Sequence, residues 1–191
     1  MRGSHLTLTH DVVGTLNIDG FDIKGVMTTN PLPSSGWISD SVAAGTALMT
    51  GYRTENEIIS QSPGGQVLKI TLEITEESGK SRNIVSTTRI THANPTCYAA
   101  HMDGRNAKNG VAEQPLTSGA EVIFGGGLRH FLPKNSDGSK RTEGMDLISE
   151  FEKVGYEFIE GRKELFEVDK SPVLELFAMS YELDRSEDEP S

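Results

Sequence analysis

Small and hydrophobic residues recur along this chain with changing period, and each period predicts an element. Residues 41–50, SVAAGTALMT, are mostly small side chains closed by Gly51, which supplies the left-handed residue that ends a helix. Asp40 and Ser41 in front of the run place Ser41 at, or one residue inside, the helix N-terminus. Free backbone N–H groups and the positive end of the macrodipole gather there, a place that suits a phosphate. Between 67 and 78, Leu68, Ile70, Leu72 and Ile74 alternate with the period of a strand, whereas Glu73, Glu76, Glu77 and Gly79 read as a helix end. Residues 83–88, NIVSTT, form a β-branched run that predicts a buried strand.

Residues 91–105, THANPTCYAAHMDGR, read as a loop entering a helix, with Thr91 or Asn94 as cap and Pro95 in the first turn. Residues 120–127, AEVIFGGG, predict a strand and a tight glycine loop. Residues 144–155 predict an amphipathic helix with Met145, Ile148, Phe151 and Val154 on one face, ended by Gly155. YEFIE at 156–160 and VLELFAM at 173–179 predict two more strands. Strands alternating with helices give an α/β fold, a mostly parallel central sheet flanked by helices. TTNPLPSSG at 28–36 and SQSPGGQ at 60–66 are turn-rich loops. MRGSH at 1–5 reads as a vector-derived leader, leaving 6–191 as a single domain whose acidic tail, DRSEDEPS, is expected to fray.

Composition narrows the function. The 191 residues carry a net charge of −10, which argues against a nucleic-acid partner or an anionic membrane surface. A protein of this charge that handles phosphate esters needs local cations. No apolar run is long enough to span a membrane, and no secretory signal is present. The single cysteine, Cys97, excludes an internal disulfide and a Cys-rich zinc motif, and its neighbours make it a packed thiol.

A serine at a helix start is most often a cap, and its hydroxyl is a poor nucleophile until a base or metal takes the proton. There is no G-x-S-x-G elbow. His92, His101 and His130 stand at no spacing that ties them to Ser41. The pairs His92 with Asn94 and His101 with Asp103 are i, i+2 and share no helix face. FGGGLRHF lacks the spacing of a phosphate loop and reads as structural. An anion at Ser41 needs a planar donor, which Asp40 would orient; by spacing Arg105, Arg89 and Arg53 are equal candidates.

Four blocks in order resemble the alkaline phosphatase family: ISDSVAAGTALMTGYRTEN, GKSRNIVSTTRITHANPTCYAAHMDGRN, EVIFGGGLRHF and LELFAMSYELDRSEDEPS. The resemblance covers nearly all of 36–191. It implies phosphomonoester hydrolysis through a phosphoserine at Ser41, with Asp40 positioning the phosphate-binding Arg105. It implies zinc and magnesium as cofactors, places His92 and Asn94 beside the magnesium site, and makes 67–78 a helix. Asn94 stands where the family has Ser or Thr. The family's early metal-binding Asp segment has only a weak echo in NIDGFD at 17–22, and its later Glu, Asp and His ligands have no counterpart before Ser191. A substitute metal set would draw on Asp40, His92, Asn94, Asp103 and His101. The resemblance further implies small phosphate monoesters as partners, a homodimer, and a periplasmic or secreted location. The rival readings are a catalytically silent phosphate-binding module and a self-associating fragment of the same fold.

Overall fold

A computed structural model describes residues 20–23, 25, 28, 30–168 and 172–180. The proposed leader at 1–5, half of the NIDGFD echo (17–19) and the acidic tail lie outside the described residues. Helix α1 runs Ser41–Thr50 and α2 Thr71–Glu77; strand β1 runs Asn83–Arg89; α3 runs Ala93–Ala99 and α4 Lys108–Glu113. Strand β2, Val122–Gly126, precedes α5, Leu147–Lys153, then β3, Glu157–Ile159, α6, Arg162–Leu165, and β4, Val173–Leu176. The four strands form one sheet in the order β1-β2-β4-β3, and every pairing is parallel. The α/β expectation holds, and the helix reading of 67–78 holds over Thr71–Glu77, with Val67 bridged to Gln61 instead.

Parallel strands need crossovers, which place helices against the sheet; the expected burial of β1 fails, since within it Ile84 alone is buried and Val85 is 68% exposed. Ile84, Ile123, Leu174 and Leu176 from the sheet meet Val111, Phe131, Leu147 and Phe151 in one core. Phe151 stacks edge-on against Tyr156 at 4.9 Å between ring centres and lies 6.0 Å from Phe131.

Two local expectations are corrected. Helix α3 starts one residue after His92, which is its N-cap residue without a side-chain bond; neither Thr91 nor Asn94 caps it. Helix α5 begins at Leu147, capped by the Asp146 carboxylate on the Ser149 N–H. Its buried residues are Leu147 and Phe151, while Met145 and Val154 fall outside the helix and are exposed.

Helix α1 packs across α3 at small residues. A Cβ on Gly45 would stand 2.9 Å from the sulfur of Cys97, closer than van der Waals contact allows. The Cys97 thiol donates to the Val42 carbonyl at 3.4 Å and is wholly buried. Burial pushes its pKa up to about 11, so it is a packed thiol. Buried hydroxyls sew the same seam to the loop beyond: Ser60 N–H donates to Thr46 Oγ1 at 2.9 Å, and Ser60 Oγ to the Cys97 carbonyl at 3.1 Å.

Candidate active site

The helix cap builds the site. Asp40 precedes α1 in extended backbone, and its Oδ1 accepts the Ala43 N–H at 2.7 Å. Gly51 closes the other end at φ 77. Ser41 is therefore the first helical residue and not the cap. Its side chain is exposed, and its hydroxyl makes no hydrogen bond among the described residues. Because Asp40 does the capping, the Ser41 oxygen is left available at the positive end of a ten-residue helix.

The second carboxylate oxygen of Asp40 faces the chain that follows α3. Oδ2 accepts the Glu57 N–H at 3.1 Å and meets Nη1 of Arg105 at 3.4 Å. Glu57 in turn accepts the Arg105 N–H on its carbonyl at 3.0 Å. Glu57 holds φ 72, a left-handed conformation that costs a non-glycine residue energy. The segment is thus fixed at both ends, and it brings Arg105 to the mouth of α1. Sequence spacing left Arg105, Arg89 and Arg53 equal; the structure separates them, placing Arg105 on Asp40 and Arg53 on the exposed surface.

Around Arg105 the chain gathers like charges. His92 is held below its usual pKa, first by burial and then by Arg89, Lys108 and Arg105. The Lys108 ammonium is also held down, by burial and then by Arg105 and Arg89. Beyond them His130 is buried, and burial with the charges of Arg129, Arg89, Lys108 and Arg141 brings it to about 4. These residues follow the carboxyl ends of β1 and β2, the side of a parallel sheet where ligands bind. Lys108 and His130 had no signal in spacing: they meet through the fold.

The predicted metal set does not assemble from these residues. Both oxygens of Asp40 already have partners. His92 sits among cations, which oppose a second positive charge. Asn94 is exposed and faces a groove with Asn83, Val85 and Tyr98. His101 bonds Glu73 through Nε2 at 3.0 Å and the Ser60 carbonyl through Nδ1 at 3.0 Å, and Asp103 is exposed. Among the described residues no three His, Cys, Asp or Glu side chains converge to hold a metal.

The glycine loop is structural. A Cβ on Gly125 would strike Ile90 at 2.5 Å, and one on Gly126 the Ser180 carbonyl at 2.5 Å. No helix among the described residues is long and apolar enough to cross a membrane.

Comparisons with known proteins agree on one family. The family model described as Alkaline phosphatase matches residues 5–191. Alkaline phosphatase 3 of Bacillus subtilis is 34% identical over 178 residues, covering 88% of this chain and 37% of that protein. The repressible alkaline phosphatase of Saccharomyces cerevisiae is 31% identical and covers 82% of this chain and 31% of that protein. Among solved structures, Thermus thermophilus alkaline phosphatase superposes with a TM-score of 0.78 at 30% identity, over 94% of this chain and 37% of that one. Alkaline phosphatase from the Antarctic bacterium TAB5 gives 0.83 at 21% identity over 95% of this chain and 52% of that one, a likeness of fold; a mutant of it is known with Mg bound. The chain spans about a third of the length of these Bacillus and yeast relatives.

Proposed function

This chain belongs to the alkaline phosphatase family, and on that premise we propose that it carries the nucleophile and phosphate clamp of a phosphomonoester hydrolase. Ser41 would accept the phosphoryl group from a small phosphate monoester by in-line attack, giving a phosphoserine and the free alcohol; water would then release phosphate. Arg105 would grip the non-bridging oxygens with its planar donors, and the α1 N-terminus would face the same charge. Asp40 would set the position of Arg105 and leave the Ser41 hydroxyl free. The observation that carries this reading is the division of labour at residues 40 and 41, with Asp40 capping the helix and holding Arg105 while Ser41 caps nothing.

Zinc and magnesium are the cofactors the family resemblance implies, and they would supply charge on the attacking and leaving oxygens. The residues gathered at Ser41 do not fit such a site by themselves, nor do they include a base that bonds the Ser41 hydroxyl, so attack by Ser41 would need a proton acceptor from outside this set. That same observation supports the second reading, a silent phosphate-binding module built on the same pocket. A homodimer and a periplasmic or secreted location stay with the family resemblance.

Phosphate release from a chromogenic phosphomonoester, with and without added zinc and magnesium, tests both readings. The hydrolase reading expects turnover that Ser41→Ala abolishes and a phosphoserine trapped at residue 41 by acid quench. Orthophosphate binding without turnover under any metal condition would leave the silent module. Turnover undiminished in Ser41→Ala would sink the hydrolase reading.

A further inference from the structure

We propose that Asn56 is a positioning residue for the phosphate clamp: its side-chain amide fixes the backbone of Asp40 and so aims the carboxylate that holds Arg105. The proposal rests on the reading of Ser41 and Arg105 as the phosphate site and adds a residue that acts on that site through Asp40.

The contacts supply the first argument. Residues 36–40 lie outside any helix or strand, so regular secondary structure does not fix the approach to α1. Asn56 fixes it instead. Its Oδ1 accepts the Asp40 N–H at 3.0 Å, and its Nδ2 donates to the Ile38 carbonyl at 3.1 Å. One amide thus grips the C=O and the N–H that flank Ser39, as the peptide group of a neighbouring strand would, and Asp40 stays extended at φ −76 and ψ 172. Only an amide side chain offers a donor and an acceptor side by side; a carboxylate supplies acceptors alone. Asn56 is itself anchored, because its own N–H donates to Ser35 Oγ at 3.0 Å.

Continuity with the clamp supplies the second. The next residue, Glu57, donates its N–H to Asp40 Oδ2 at 3.1 Å and accepts the Arg105 N–H on its carbonyl at 3.0 Å. Asn56 and Glu57 together therefore hold Asp40 by its main chain and by its carboxylate, and the same turn holds the main chain of Arg105. Glu57 keeps φ 72, a conformation that persists where surrounding bonds over-determine it. The third argument is the sensitivity of the target. Asp40 Oδ2 and Arg105 Nη1 stand 3.4 Å apart, long for a charged pair, so a small turn of Asp40 away from Arg105 would part them.

The test is calorimetric binding of orthophosphate. Asn56→Ala is expected to weaken it about tenfold, the size of one charge-assisted hydrogen bond misplaced. Because Asn56 acts through the Asp40 carboxylate, Asp40→Ala combined with Asn56→Ala should bind within about twofold of Asp40→Ala alone. Ser139→Ala, which breaks a loop hydrogen bond to the Leu132 carbonyl, should leave the affinity unchanged. A second readout needs no substitution. Coupling between two equilibria is reciprocal, so orthophosphate should strengthen the Asn56–Asp40 contact by the same factor and slow hydrogen exchange at the Asp40 amide about tenfold at saturation. If Asn56→Ala fails to fold, this exchange measurement decides. Undiminished binding in Asn56→Ala, a loss that adds in full to that of Asp40→Ala, an equal loss in Ser139→Ala, or Asp40 exchange indifferent to orthophosphate overturns the positioning role alone. Failure of the unmutated chain to bind orthophosphate overturns the Ser41–Arg105 reading, and the role of Asn56 with it.

Discussion

Asp40 and Arg105, sixty-five positions apart in the chain, meet at 3.4 Å through one carboxylate oxygen while the other oxygen caps α1. One side chain therefore ties the helix start to the proposed phosphate clamp, and substitution there has two separable effects.

Asp40→Ala removes the cap and the anchor of Arg105 together. The cap accounts for an expected stability loss of about 1 kcal/mol, read by urea denaturation. Loss of the anchor should weaken orthophosphate binding by about tenfold in calorimetry, the size of one charge-assisted hydrogen bond. Asp40→Asn keeps an oxygen for the Ala43 N–H, so it should restore most of the stability and little of the affinity. Equal recovery of both would show that the cap alone matters.

Gly45→Ala tests the helix crossing. Alanine favours a helix interior over glycine by about 1 kcal/mol, so an uncrowded site would gain stability. The contact with Cys97 reverses the sign: an expected net loss of about 1–3 kcal/mol, the usual size of an overpacked core. Adding Cys97→Ala to Gly45→Ala should recover much of it, giving a coupling in a double-mutant cycle that two independent sites would lack. A gain in stability from Gly45→Ala alone would refute the close crossing.

Glu175 sets a pH dependence. It lies in β4 at 3% exposure, and its Oε2 has no partner among the described residues. Burial, and then Glu164, raise its pKa in the folded protein. The protonated carboxyl is thus favoured on folding. The stability it contributes is complete below the unfolded value and lost as pH rises through the folded one. Glu175→Gln should raise the melting temperature by roughly 2–4 °C at pH 8, about 1 kcal/mol for a chain of this size, and change little at pH 4. A gain confined to pH 4 would contradict the assignment.

Much of the frame was legible because it is encoded locally. Asp40, the small residues of α1 and Gly51 announce a helix with both ends, and NIVSTT and EVIFGGG announce β1 and β2. Where local signals compete, they mislead. In 67–78 the alternating Leu68, Ile70, Leu72 and Ile74 match a strand, but Glu73 reaches back to the Ile70 N–H at 3.0 Å and starts a helix. The face drawn through Met145 and Val154 failed because Asp146 caps later than Gly144 invites. The candidate site was legible at Ser41 and Asp40, which share a helix end, and only through the family resemblance at Arg105, whose partner lies across the fold. Lys108 and His130 were invisible: nothing in RNAKNG or GLRHF says that two strand ends will bring those groups together.

The strand order has a consequence for how the chain assembles. Among the described residues β3 pairs only with β4, which comes after it, and β2 lies on the far side of β4. Until Val173–Leu176 has been made, β3 has no strand neighbour among the described residues and β2 has β1 alone among them. The sheet therefore closes last at its centre, with a late-synthesised strand wedged between two earlier ones, and non-local pairing of this kind slows folding. A nascent chain halted before that strand would present two open borders to any other polypeptide nearby.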